Sequence, residues 1–94
     1  MNGAARIGDV LSDGDVIVMG SGNVFINGIP AVRQGDATSG HGCFPPTTIA
    51  TGSPTVFVNG IPLVRVTDTN VPHVCGPIVD FGILENASSD VVVG

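Results

Sequence analysis

Slid against itself by 32 residues, the chain aligns Gly20-Ser21 with Gly52-Ser53, and Val24-Phe25-Ile26-Asn27-Gly28-Ile29-Pro30 with Val56-Phe57-Val58-Asn59-Gly60-Ile61-Pro62. The same offset carries Val32-Arg33 onto Val64-Arg65, Asp36 onto Asp68, His41 onto His73 and Cys43 onto Cys75, without a gap. Self-similarity at a fixed period means that one supersecondary unit is used more than once. Each copy reads as a strand (Asn23 to Ile26, Thr55 to Val58), an Asn-Gly turn, and a second strand through Ala31-Val32-Arg33 or Leu63-Val64-Arg65. Asn-Gly suits a tight hairpin because both residues tolerate positive φ. Pro30 and Pro62 follow closely, where a missing N–H is tolerable only at a strand start or an edge.

A third, weaker copy emerges when the chain is read as a ring. Ser89-Asp90-Val91-Val92-Val93-Gly94 then forms the first strand, and Asn2-Gly3-Ala4-Ala5-Arg6-Ile7-Gly8-Asp9 the turn and second strand. Arg6, Gly8 and Asp9 match Arg33, Gly35 and Asp36, while Arg65 and Asp68 keep the spacing with Thr67 in place of the glycine. This copy lacks the proline and the His-x-Cys. Fourteen Gly and seven Pro punctuate the Val- and Ile-rich runs, and no stretch holds helical spacing for three turns. The expected fold is all-β: one small pseudo-threefold, conical (pyramidal) domain over residues 1–94, built from three β-hairpin repeats. The repeats span about 20–51, 52–85, and 86–94 joined to 1–19. A monomer with such internal symmetry suits docking on a threefold object.

A domain of this size buries only about 60 to 65% of the surface of its unfolded chain, so a staple beyond the core is expected. His41-Gly42-Cys43 and His73-Val74-Cys75 supply the candidate, each about five residues past the equivalent Asp. Two such repeats present two imidazoles and two thiolates, a Cys2His2 count suited to one tetrahedral Zn²⁺ with every position filled by protein. The glycines and Pro72 around them permit tight loops. Two buried thiols beside satisfied histidines, or a disulfide formed after export, are the bland alternatives, and mixed-ligand iron is the competing metal. A closed shell near the apex leaves no position for substrate water, so the metal is expected to be structural and the chain not an enzyme.

Three basic against eight acidic residues give a net charge of −5, which repels nucleic-acid phosphates. Trp and Tyr are absent, removing the usual stacking platforms for bases and sugars. Neither a secretory signal nor a run long enough to span a membrane is visible, so synthesis in the cytoplasm without a leader is expected. The recurring Arg6/Asp9, Arg33/Asp36 and Arg65/Asp68 pairs read as charge-assisted braces of turns rather than catalytic carboxylates. Asp13-Gly14-Asp15 lacks the further ligands of a calcium loop and reads as a solvated turn. Phe25 and Phe57 read as core residues ahead of a role in an apolar docking face.

Gly3-Ala4-Ala5-Arg6-Ile7-Gly8-Asp9 resembles the Pro-Ala-Ala-Arg motif, with Gly3 in place of the proline. With the repeated Gly-Ser-x-x-Val-Phe-x-Asn-Gly-x-Pro-x-x-Arg blocks, the resemblance to PAAR-repeat proteins runs from Ala4 to Gly94. It implies a pointed, zinc-binding β-structure seated on the trimeric β-helical spike of a type VI secretion system or related phage-like contractile tail. One copy per trimer would sharpen the spike, recruit effector proteins and meet the target membrane transiently. The family's zinc, held by His and Cys near the apex, maps by resemblance onto His41, Cys43, His73 and Cys75. A free-standing zinc-stabilised interaction module is the alternative; it has no affinity for a trimeric β-helix.

Overall fold

A computed structural model of the chain describes residues 2–93. Eight short strands make four two-stranded antiparallel ribbons, with no helix among the described residues. β2 (Phe25–Ile26) pairs with β3 (Ile29–Pro30), and β4 (Phe57–Val58) with β5 (Ile61–Pro62). Their turns have φ of 56° and 77° at Asn27 and Gly28, and 55° and 78° at Asn59 and Gly60. Both central residues are thus left-handed, as a two-residue hairpin of this type demands. The third copy is closed by β1 (Asn2–Gly3) pairing with β8 (Val92–Val93). Gly3 faces Val92 as Pro30 faces Phe25 and Pro62 faces Phe57. Asn2-Gly3 is therefore strand rather than turn, and Gly94, assigned to this copy from sequence, lies outside the described residues.

The repeats begin alike. Ser21, Ser53 and Ser88 are buried, and each hydroxyl accepts from the backbone N–H groups two and three residues on, at 2.9 to 3.2 Å. Such a local bond directs the chain into the strand that follows. The three second strands then close a ring of backbone bonds: Ala5 N–H to Val64 C=O at 2.9 Å, Val64 N–H to Val32 C=O at 3.0 Å, Val32 N–H to Ala5 C=O at 3.1 Å. This ring fixes the pseudo-threefold axis. No strand edge is left open within it, so backbone groups that a small sheet would expose are paired internally.

Packing follows in tiers. Ala4, Ile26, Ala31, Val58 and Leu63 fill the hairpin side of the ring, while Ala5, Leu11, Ile17, Val32, Ile49, Val64 and Leu84 fill the other. Ile17, Ile49 and Leu84 are threefold equivalents: their C=O groups accept from Gly8, Gly35 and Thr67, and their N–H groups bond Asp9, Asp36 and Asp68. Leu11, Thr38 and Asn70, each two residues past those aspartates, form the next buried tier. Hydrogen bonds link neighbouring tiers, ordering the molecule from hairpins to histidine loops within an envelope of 38 × 24 × 22 Å.

Arg6, Arg33 and Arg65 brace the turns as expected. Each backbone N–H donates to the Asp three residues on at 2.7 to 2.8 Å, and the guanidinium returns to the same carboxylate. The hydrogen bond from Asp36, against the opposing effect of burial, raises the Arg33 guanidinium above its ordinary value, and Asp68 does the same for Arg65. The core assignment of Phe25 and Phe57 is corrected: both are 55% exposed. Alternation along the strand turns Ile26 and Val58 inward instead and leaves the rings on the outer face.

Candidate metal centre

Past the Leu11, Thr38 and Asn70 tier each repeat turns back in a loop, and the loops converge. His41 and His73 occupy equivalent positions five residues beyond Asp36 and Asp68; in the third repeat that position is Gly14, preceded by Asp13. The Gly14 site lies against His41, with His41 Cβ 3.9 Å from where a Gly14 Cβ would stand. A tight reversal shapes the loop of His41, whose N–H and C=O exchange bonds with Phe44 at 3.1 and 2.9 Å. Gly40 makes this possible: its φ is +75°, and a Cβ there would stand 2.7 Å from the Phe44 C=O oxygen. His73 and Cys75 lie on β6 (His73–Cys75), one residue apart and so on one face, while Val74 points out to solvent. β7 (Ile78–Asp80) pairs with β6 and sets Asp80 opposite His73.

Four donor groups meet there. His41 Nε2 is 3.1 Å from His73 Nε2, 3.4 Å from Asp13 Oδ2 and 3.5 Å from Asp80 Oδ2. His73 Nε2 lies 3.2 Å from Asp13 Oδ2. The side chains of His73 and Asp13 are each 2% exposed, against 21% for His41 and 33% for Asp80, so one side of the cluster opens to solvent. His73 Nδ1 sits 2.8 Å from the Pro45 carbonyl oxygen, which can only accept. Nδ1 therefore carries a proton, and Nε2 is the nitrogen that faces the Asp13 carboxylate and His41. Burial by itself raises the Asp13 carboxyl. The Asp15 N–H, the Asn70 amide and the two imidazoles outweigh burial and hold it below the ordinary carboxylate value. The cluster thus gathers two imidazole nitrogens and two carboxylate oxygens that can share a cation.

The donor set fits a metal. A tetrahedral ion with bonds of about 2.0 to 2.1 Å separates its ligand atoms by about 3.3 Å, and the four separations given above run from 3.1 to 3.5 Å. The four ligand atoms all lie within 4.8 Å of one another. The carbonyl bond at His73 Nδ1 is the type of outer contact that orients a metal-bound imidazole.

Of the residues expected at the ion, His41 and His73 stand together, while Cys43 and Cys75 are joined to each other in a disulfide with Cα atoms 5.6 Å apart. A sulfur so bonded is no thiolate, so in this form the converging donors are His41, His73, Asp13 and Asp80. The reading of Asp13-Gly14-Asp15 as a solvated turn is corrected. Asp15 is fully buried, accepting from the Gly40 N–H at 2.7 Å and the Asn70 amide at 3.1 Å, and Asp13 accepts from the same amide. The sequence held a signal for Asp13, which precedes the histidine-equivalent position of the third repeat. Asp80 had none, since Thr48 stands at the offset of 32 and only the register of β6 and β7 brings the carboxylate across.

Fold and site define a small all-β protein of three hairpin repeats closing on a candidate metal-binding cluster of Asp and His. A family model described as PAAR motif matches residues 2–44. Over that stretch the chain is similar to PAAR-motif proteins, which supports reading it as a PAAR-repeat protein. No curated protein matches it. No helix among the described residues is long and apolar enough to cross a membrane.

Proposed function

We propose that this chain caps a trimeric β-helical spike of a contractile injection machine, one copy per trimer, as a structural tip rather than a catalyst. The observation that carries this reading is the symmetry of the exposed apolar side chains. Phe25, Phe57 and Val92 hold equivalent registers on the three hairpins and are 55%, 55% and 44% exposed. A single chain thereby offers a threefold apolar face, the shape needed to cover three equivalent strand ends. The histidine loops, at the other end of the tiers, would form the apex that meets the target envelope. Exposed Val74, Ile78 and Val79 beside them offer contact to an effector or to lipid.

A structural zinc ion at that apex completes the proposal. With the sulfurs reduced, His41, Cys43, His73 and Cys75 form its shell, as soft thiolate and imidazole donors favour. Substituting His73→Ala or Cys43→Ser in reduced protein should lower bound zinc and melting temperature together; metal lost with melting unchanged would deny the ion a stapling role. Docking is tested by native mass spectrometry with a trimeric spike protein. One chain per trimer is expected, abolished by a paired Phe25→Asp and Phe57→Asp substitution. Three chains per trimer, or none, would sink the capping model.

A further inference from the structure

We infer that the apex has two ligand sets sharing the same imidazoles, and that Asp13 and Asp80 complete a divalent-cation site with His41 and His73 while Cys43 and Cys75 are disulfide-bonded. The inference rests on the metal reading above and adds to it the shell used in the oxidised protein. Four observations converge on it. The two sulfurs are consumed by their mutual bond. His73 is 4% exposed, and its Nδ1 is held 2.8 Å from the Pro45 carbonyl, so Nε2 is the ring nitrogen that faces the cluster. Asp13 Oδ2 stands 3.4 and 3.2 Å from the His41 and His73 nitrogens and Asp80 Oδ2 3.5 Å from that of His41, spacings close to the edges of a tetrahedral shell. The pair also brings two negative charges, which balance a divalent ion as two thiolates would.

The disulfide is compatible with this because the four clustered donor atoms are imidazole nitrogens and carboxylate oxygens, none of them a sulfur. His41 and Cys43, like His73 and Cys75, are separated by one residue, so the segments that carry the two sulfurs also carry the two shared imidazoles. Conversion follows ordinary thiol–disulfide exchange. A Cys43 thiolate attacks glutathione disulfide, releasing one glutathione thiolate; the Cys75 thiolate then displaces the second, and two electrons leave the protein for two glutathione molecules. An ion held by the thiolates thereby loses two ligands as the sulfurs couple, and the carboxylates take their place. A cation-filled apex could then pass from a reducing to an oxidising compartment without opening.

Equilibrium titration of the full chain in both redox forms, with Zn²⁺ against a chromogenic chelator, tests this. Free-thiol counts of zero and two define the forms. One zinc per chain is expected in each. Asp80→Asn should weaken zinc in the disulfide form at least tenfold while changing the dithiol form less than threefold. Asp80 is the residue to substitute because Asp13 also accepts from Asp15 and Asn70. Substituted Co²⁺ supplies a second readout: strong near-ultraviolet sulfur-to-metal absorption in the dithiol form, and only weak visible bands in the disulfide form. Zinc bound by the dithiol form alone would overturn the second ligand set while leaving the first. Equal effects of Asp80→Asn in both forms, or sulfur absorption in the oxidised protein, would overturn it as well. Binding by neither form would remove the metal reading itself.

Discussion

The buried aspartates hold the three turns more firmly than their surface arginines suggest. Asp36 is 5% exposed and Asp68 3%, and each accepts one backbone N–H and two guanidinium bonds. An exposed ion pair is worth little, but a buried carboxylate that organises a turn is lost together with its backbone bond. Asp36→Ala should therefore cost about 2 to 4 kcal/mol, a fall in melting temperature of about 10 °C or more for a domain of this size. Arg33→Ala should do harm of similar size by stranding the carboxylate. Thermal denaturation followed by circular dichroism decides this, and a loss within about 0.5 kcal/mol would mean that the turn holds itself. At this scale the sequence was informative because the Arg-x-x-Asp spacing is local. It misled at Asp13 and Asp15, where a local reading of a turn could not show that Asn70 and Gly40, distant in the chain, would bury both carboxylates.

The hairpins were legible for the same reason, since Asn-Gly between apolar runs states its own backbone requirement. Gly60 isolates that requirement: its φ is +78°, yet a Cβ there would meet nothing within 4 Å. Gly60→Ala should accordingly destabilise by about 1 to 2 kcal/mol through left-handed backbone strain alone, with no repacking. Urea denaturation should show a shifted midpoint with an unchanged slope; a changed slope would point to altered packing. Asn59 contributes more than its dihedral angles, because its amide accepts from Ser21 at 2.7 Å and donates to Asn23 at 2.9 Å across neighbouring repeats. Asn59→Gly keeps the turn and loses those bonds, so it should cost about 1 kcal/mol. What the sequence could not give was the strand extent. Ala31 and Leu63 do continue their own hairpins, bonding Val24 and Val56, but they also bridge to Arg6 and Arg33 of neighbouring repeats, and Val32 bonds only Ala5 and Val64. Pairing between repeats is a property of the closed ring, invisible in either repeat taken singly. The outward turn of Phe25 and Phe57 has the same origin, because only the ring decides which face of a two-residue strand is inside.

Stability is distributed unevenly along the tiers of the whole molecule. Apolar side chains fill both sides of the backbone ring, but beyond Ile17, Ile49 and Leu84 the buried tier contains Thr38 and Asn70, and then the donor cluster. Hydrophobic burial thus fades toward the histidine loops just where the disulfide and the Asp–His donor cluster lie. A cross-link or an ion stabilises that end where apolar mass cannot. Local opening should follow the same gradient, because segments with few apolar contacts open at lower free energy than the core. In amide exchange, Ala5, Val32 and Val64 should be among the slowest and should exchange together, since each N–H is bonded within one ring. Reducing the disulfide and chelating metal in the same sample should accelerate exchange at Thr38, His41, Phe44 and Gly82 by about a hundredfold or more, the equivalent of about 3 kcal/mol. The ring amides should change far less. Either treatment applied singly should have a smaller effect, because each staple still ties the loop of His41 to β6. Uniform acceleration of ring and loops would instead mean that the tiers open as one cooperative unit. The staples would then be supporting the entire fold rather than the end that carries them.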